Sequence, residues 1–403
     1  MNRTGWTVPA HVPQELVVDF NFMNPPGGED DIHLAWASLH DGPDIVWSPY
    51  NGGHWIATRG ADIEVLQKDF ARFSSCSISI PPTTEVKTVP LELDPPEHTP
   101  FRALIAPSFL PQAVASLEAD MRTLSIELIE AFRQRGECEF VSEFAKILPI
   151  VIFLRLADLP LEDRDRLLDM AEMAVRGDLE MRMQAIQDLG QYIGKWVVER
   201  QANPGKDLVS LMANAQIDGA PISPERMFGM MIVVLFGGLD TVASLLGFIA
   251  RFLAENPAQR QQLIDQPDLI NSAIDELVRR FGVSSTARVI TADMEFNGVQ
   301  LKENEQILVP SFMYGLDERK FPNPLMVDVT RKPVVHAAFG NGPHRCPGSF
   351  LARVEIKVFV QEWLKRIPHF SIKPGDKPRC GSGAVNGMLY LPLVWDVSST
   401  IEA

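Results

Sequence analysis

The chain has 403 residues, of which 46% are hydrophobic and 22% charged, as in a globular protein with a large apolar core. A formal net charge of −15 excludes non-specific attraction to nucleic acid or to an anionic membrane surface. The four cysteines, Cys76, Cys138, Cys346 and Cys380, form no C-x-x-C pair, which removes a structural zinc site, and "MNRTGWTVPAHVPQ" has no apolar signal core. The expectation is a soluble, monomeric, cytoplasmic protein with reduced thiols.

Residues 1–90 are rich in proline and glycine, with short strand-like pieces such as "HWIATR". From Pro111 onward helical periodicity takes over. "AVASLEADMRTLSIELIEAFRQRG" spaces its apolar residues three and four apart and stops at Gly136. "PERMFGMMIVVLFGGLDTVASLLGFIARFLAENP" follows Ser223 as a cap, with Pro224 at the first helical position and Pro257 at its end. Apolar on most sides, it predicts an interior helix. Its most apolar run, Met230 to Leu239, is too short to span a bilayer and leads into Asp240. "SAIDELVRRF" predicts another helix. "ARVITADMEFNGVQLKENEQILVPSF" predicts strands turned at Asn297-Gly298 and Glu303-Asn304. "SFLARVEIKVFVQEWLKRIP" predicts a helix directly after a glycine-rich loop, and "AVNGMLYLPLVWDV" a closing hairpin. No repeat or linker interrupts the chain. It is read as one domain, 1–403, mainly α with a small β part: a proline-rich, β-containing stretch 1–90 and a mainly helical stretch 91–403.

The glycine-rich loop is "AAFGNGPHRCPG", residues 337–348. Cys346 in it has three readings: a buried packing thiol, a nucleophile activated by the following helix N-terminus, or a thiolate metal ligand. For an isolated cysteine the first leads. The neighbours reverse that order. Gly340, Gly342 and Gly348 let the loop turn sharply and let a flat group approach its backbone. Phe339 offers an aromatic face, and His344 and Arg345 place positive charge beside the sulfur.

Phe339, Gly340, Gly342, His344, Cys346 and Gly348 resemble the haem-binding loop of the cytochrome P450 family. The resemblance implies a haem b cofactor with Cys346 as axial thiolate. Thiolate donation pushes electron density onto iron and favours O–O cleavage. Pro347 departs from the family pattern, because it supplies no N–H toward the sulfur; the two readings are a lowered iron potential and a merely stiffer loop.

Other matches follow in the family's order. Glu276 and Arg279, with Arg331, resemble its buried E-x-x-R network, although E-x-x-R alone describes many surface helices. "GGLDT" places two glycines, including Gly237, inside an apolar helix at a cost of about 1 kcal/mol each relative to alanine. In the family this stretch crosses the distal haem face. Thr241 there bonds the oxygen species and Asp240 delivers protons. The plain alternative has Thr241 bonding back to the Gly237 carbonyl and bending the helix. His98, Arg102, Arg288 and His344 are candidates for the haem propionates, anions that need cationic donors.

"NGGHWIATRG", "RRF", "GLDER", "EWLKRIP" and "LPLVWD" resemble the bacterial camphor-hydroxylating branch. That implies electrons passing from NADH through a flavin reductase to a [2Fe–2S] ferredoxin, docked near Arg102, Arg345, Arg353 and Lys357. The substrate region departs from that branch. Its ketone-binding tyrosine is replaced by Val86, and an aromatic neighbour by Thr88. The remaining candidates, Ile80, Val233, Phe236, Val283, Ser284, Ala384 and Val385, are mostly apolar and suit a compact hydrocarbon skeleton, although each is equally a core residue. The expected function is a monooxygenase that hydroxylates a terpenoid or norisoprenoid, an ionone-like ketone before camphor. The alternatives are an H2O2-dependent peroxygenase and a haem-based sensor or binding protein.

Overall fold

The computed structural model describes residues 6–82, 87–176 and 179–400. Ten helices carry most of the architecture discussed below: α1 (Gly60–Lys68), α2 (His98–Ile105), α3 (Pro111–Arg133), α4 (Ile147–Leu156), α5 (Arg164–Arg176), α6 (Leu179–Ala202), α7 (Pro224–Glu255), α8 (Pro257–Asp265), α9 (Leu269–Phe281) and α10 (Ser349–Arg366). The long helix begins as its sequence demands. Ser223 Oγ accepts the Arg226 N–H at 3.3 Å, and Pro224 occupies the first turn, where its missing N–H is no loss. After α3 the chain turns at Gly136, whose φ of +75° is left-handed.

The main sheet has five strands: β1 (Ile45–Ser48), β2 (His54–Ala57), β3 (Phe73–Ser74), β4 (Ser285–Ile290) and β5 (Gln306–Pro310). Their order is β1-β2-β5-β4-β3, with only the β2–β5 pair parallel. The proline-rich first part of the chain is therefore stitched into the same sheet as residues 285–310. The Asn297-Gly298 turn forms as expected, with φ of +50° and +79°, and pairs Met294–Phe296 with Val299–Leu301.

The C-terminal hairpin does not form. Gly387–Tyr390 pairs with Arg379–Gly381, whereas Pro392–Val394 pairs with Ser371–Ile372 and with Glu137–Glu139. Only Leu391 separates the two tail strands, too short a link to reverse the chain, so the tail crosses from one small sheet to another.

Two apolar clusters fill the interior. One runs from Val12 to Trp395 and contains Trp36, Trp55, Phe140, Phe359 and Trp363. The other joins Phe101 of α2, Leu154 of α4, Leu189 of α6 and Met230 and Leu239 of α7. By length and composition α7 alone, among the described residues, could cross a membrane; it is instead an interior helix that packs in both clusters. Packing of α10 against α3, α7 and α9 places the cysteine loop at the edge of this core.

Candidate functional site

The cysteine loop is pinned by its own backbone. Cys346 N–H donates to the Phe339 carbonyl at 2.8 Å and Gly340 N–H to Ala337 at 2.7 Å. Gly340 and Gly342 have φ of +71° and +67°, which L side chains avoid. Gly342 also sits against α1: a Cβ there would lie 2.6 Å from the Gln67 carbonyl oxygen. Asn341 Nδ2 donates to Gln67 Oε1 at 3.1 Å, so loop and helix are fixed together.

Burial pushes the Cys346 thiol up. The Gly348 N–H and the cations Arg102, Arg353 and Arg345 oppose that shift. One backbone donor reaches the sulfur from Gly348, and Pro347 can offer none. Phe339 lies under the Arg353 guanidinium, 4.6 Å from its ring centre. Arg102 donates to the Arg345 carbonyl, tying α2 to the loop.

Beside the sulfur is a cluster of basic side chains on which the Asp94 carboxylate acts only from beyond ion-pair range. The His98 and His344 rings meet edge to face at 4.5 Å. Both Nε2 atoms are buried and unpartnered. Burial, then Arg288, His98 and Arg102, push His344 down to about 3, against a hydrogen bond to the Leu93 carbonyl. Arg288 is buried and donates only to neutral groups of its own strand, Thr286 Oγ1 at 3.1 Å and the Ala287 carbonyl at 2.7 Å. Burial lowers its pKa to about 10. Among the described residues neither Arg102 nor Arg288 has a carboxylate in ion-pair range. Such a cluster is unstable by itself and stable around an anion.

The centre of α7 is open on one side. Its flanks, Met227–Met231 and Val242–Ala254, are largely buried, but Val233, Phe236, Gly237, Asp240 and Thr241 are not. Cβ atoms built on Gly237 and Gly238 would meet no atom within 4 Å. The glycines therefore leave room for something beside the helix. Thr241 Oγ1 donates to the Gly237 carbonyl at 2.7 Å. Asp240 and Phe236 line a pocket with Lys146 and Glu172, whose ion pair spans 2.8 Å.

The E-x-x-R network is internally complete. Arg279 and Glu276 are fully buried and doubly bonded, at 2.7 and 2.8 Å. The other guanidinium donors of Arg279 go to the carbonyls of Gly315, Pro324 at 2.7 Å and Met326 at 3.1 Å. Arg331 reaches Glu276 at 3.1 Å, and the Asp328 N–H does so at 3.0 Å.

An open helix flank, a glycine-cradled thiol and a basic cluster with no carboxylate in ion-pair range among the described residues fit a flat dianionic cofactor. The comparisons agree. The family model for cytochrome P450 matches residues 162–383. The chain belongs to the cytochrome P450 family. It is 34% identical over 400 residues to the probable cytochrome P450 127A1 of Sinorhizobium fredii, covering 96% of this chain and 97% of that one. It is 30% identical over 367 residues to the mycinamicin IV hydroxylase/epoxidase of Micromonospora griseorubida, covering 87% and 91%. The crystal structure of cytochrome P450 CYP101C1 superposes with a TM-score of 0.89 at 39% identity, covering 97% of this chain and all of that one. As a cytochrome P450 the chain is a monooxygenase that carries haem b bound through a cysteine thiolate.

Around this P450 site the other expected residues divide. Ser284 pairs with Val385 in an antiparallel bridge, and Ser285 N–H donates to Ala384 at 2.8 Å, so Val283, Ser284, Ala384 and Val385 meet. The Ala287 N–H holds the Ile78 carbonyl at 2.8 Å, bringing the segment of buried Ile80 to the same strand. Thr88 is half-buried with its hydroxyl donated to Glu92 at 2.8 Å. Val86 lies outside the described residues. Of the basic face, Arg345 is exposed, but Arg353 is paired with Asp275 and Lys357 with Glu118. Sequence reasoning missed Lys146, Glu172 and Glu92, because no motif links a lysine on one helix to an acid on another.

Proposed function

We propose that this P450 hydroxylates an unactivated C–H bond of a small hydrophobic terpenoid or norisoprenoid, with an ionone-like ketone favoured. The observation that carries the site assignment is the cluster of His98, Arg102, Arg288 and His344 beside the Cys346 sulfur, with no carboxylate in ion-pair range among the described residues. Bound haem supplies the activation of O2, and the chain supplies what surrounds it. Cys346 ligates the iron. The four basic residues hold the propionates, each charge-assisted bond contributing about 1.5–3 kcal/mol. Phe339, Gly340 and Gly348 shape the loop, Gly237 makes space on the distal side, and Glu276, Arg279 and Arg331 keep the loop's platform rigid.

Asp240 and Thr241 manage protons. Thr241 donates to the Gly237 carbonyl, which leaves its oxygen as an acceptor at the open flank of α7. Asp240 lines a mostly apolar pocket together with Lys146 and Glu172, which set polar groups beside it. The acid–alcohol pair favours O2-dependent chemistry over direct use of H2O2. Val233, Phe236, Val283, Ala384 and Val385 give the substrate an apolar wall, with Ile80 and Thr88 as further lining and Val86 standing in sequence where a ketone-binding tyrosine would be.

The electron donor in this reading is a [2Fe–2S] ferredoxin served by an NADH-dependent flavin reductase, docking around the exposed Arg345. The whole chain acts as one cytoplasmic, monomeric domain. The decisive test is Cys346→Ser. The parent, reduced under CO, should show the Soret band of a thiolate complex, and the variant should lose it. A variant that kept that band would refute the ligand assignment. A spin-shift screen of terpenoid ketones tests the substrate class.

A further inference from the structure

We propose that the Ser284 hydroxyl is the hydrogen-bond donor that orients the substrate's oxygen function. This rests on the terpenoid-ketone reading above and assigns the residue that reads the ketone. Val86 offers no donor, so the group must come from elsewhere.

Strand geometry places Ser284 at the site. Side chains alternate along a strand, so every second residue shares a face. On β4 the Arg288 guanidinium donates to Thr286 Oγ1 at 3.1 Å, which fixes those two on the face of the basic cluster. One step before the strand, the same alternation puts Ser284 on that face. The bridge to Val385 keeps the period at this point, with Ser285 N–H on Ala384 at 2.8 Å and Asn386 N–H on Val283 at 2.9 Å. Residues opposed in a bridge share a face, so Val385 stands beside the Ser284 hydroxyl. Ser311 N–H donates to the Ser284 carbonyl at 3.0 Å, and the backbone is held from both sides.

Two other hydroxyls near the site have spent their protons: Thr88 donates to Glu92 at 2.8 Å and Thr241 to the Gly237 carbonyl at 2.7 Å. Thr286 keeps its proton, but its oxygen accepts from Arg288 at 3.1 Å, which ties it to the basic cluster rather than to the apolar lining. Ser284 is half-buried, and its hydroxyl has no protein partner among the described residues. Ser285 Oγ is also unpartnered, but it is buried on the opposite face of the strand. A rigidly placed donor among valines is costly to desolvate unless the ligand brings an acceptor, and a carbonyl oxygen is such an acceptor.

The test uses haem-loaded protein and a matched pair of probes, a cyclic terpenoid ketone and its deoxygenated hydrocarbon parent. Binding is read as the substrate-induced spin shift. Ser284→Ala should weaken ketone binding by roughly two- to tenfold, the ratio expected of one net hydrogen bond, and leave hydrocarbon binding unchanged. It should also broaden the set of ketone oxidation products. Ser284→Thr, which keeps the hydroxyl, should restore the ketone preference. Ketone binding that is unaltered in Ser284→Ala, or weakened equally for both probes, overturns the Ser284 assignment alone. A parent protein that binds the hydrocarbon but not the ketone overturns the ketone reading and this assignment with it.

Discussion

Two groups of buried basic residues in this chain are built in opposite ways. Arg279 is surrounded by acceptors from its own chain: Glu276, three backbone carbonyls and the Phe321 ring at 5.0 Å. Arg288, equally buried, faces a hydroxyl and a carbonyl, with His98 and His344 beside it carrying orphaned nitrogens. A buried cation that serves the fold brings its own anion. One that serves a ligand is left incomplete until the ligand arrives. The difference separates structural from binding residues where residue type alone cannot.

The largest effect should come from breaking the complete group. Glu276→Gln leaves a buried guanidinium without its carboxylate and should cost about 3–5 kcal/mol, read as a lost or greatly lowered unfolding transition and failure to retain haem. Next is a buried base that is satisfied while neutral. His33 Nε2 lies 2.9 Å from the Gly282 carbonyl, and burial first, then Arg280, lower its pKa from 6.5 to about 4, with Asp31 acting in the opposite sense. The unfolded chain protonates near 6.5 and the folded one near 4. Stability present above pH 6.5 should therefore be lost as pH falls through that window, by about 3 kcal/mol at most. Denaturant titrations at several pH values check this, and His33→Gln should flatten the acid limb.

The incomplete group should respond with opposite signs in the two states of the protein. Arg288→Ala should release haem to an acceptor protein roughly 10- to 100-fold faster, the loss of one charge-assisted bond. In cofactor-free protein the same change should leave stability equal or higher, because it removes an unpaired buried charge. A large loss of cofactor-free stability would place Arg288 with the structural group. The smallest effect is electronic. Pro347→Leu adds an N–H beside a sulfur that now takes one from Gly348, and a redox titration should show a higher haem potential.

Residue types and spacings made the P450 loop, the E-x-x-R pair and the G-G-x-D-T helix legible, because each is a local constraint. Gly342 must be glycine against Gln67, and Pro224 must start a helix. The tail departs from the expected hairpin because alternation in "AVNGMLYLPLVWDV" signals strands but not their partners. Those partners, at 137–139, 371–372 and 379–381, are chosen by packing. Thr88 and Ser284 looked alike as small polar lining candidates. Only the fold showed that one hydroxyl is committed to Glu92 and the other to no group among the described residues.

By itself, then, the amino-acid order determined the acidic, globular character of the chain, its helix starts and its glycine turns, which follow from short-range rules of backbone conformation and charge. The cofactor followed from the likeness of the cysteine loop to that of the P450 family. The tertiary structure decided which buried cations are already paired, which hydroxyl remains available and which acid–base pair stands beside Asp240. Those are properties of contacts between distant segments, and contact is settled by the packing of the whole core rather than by any run of residues.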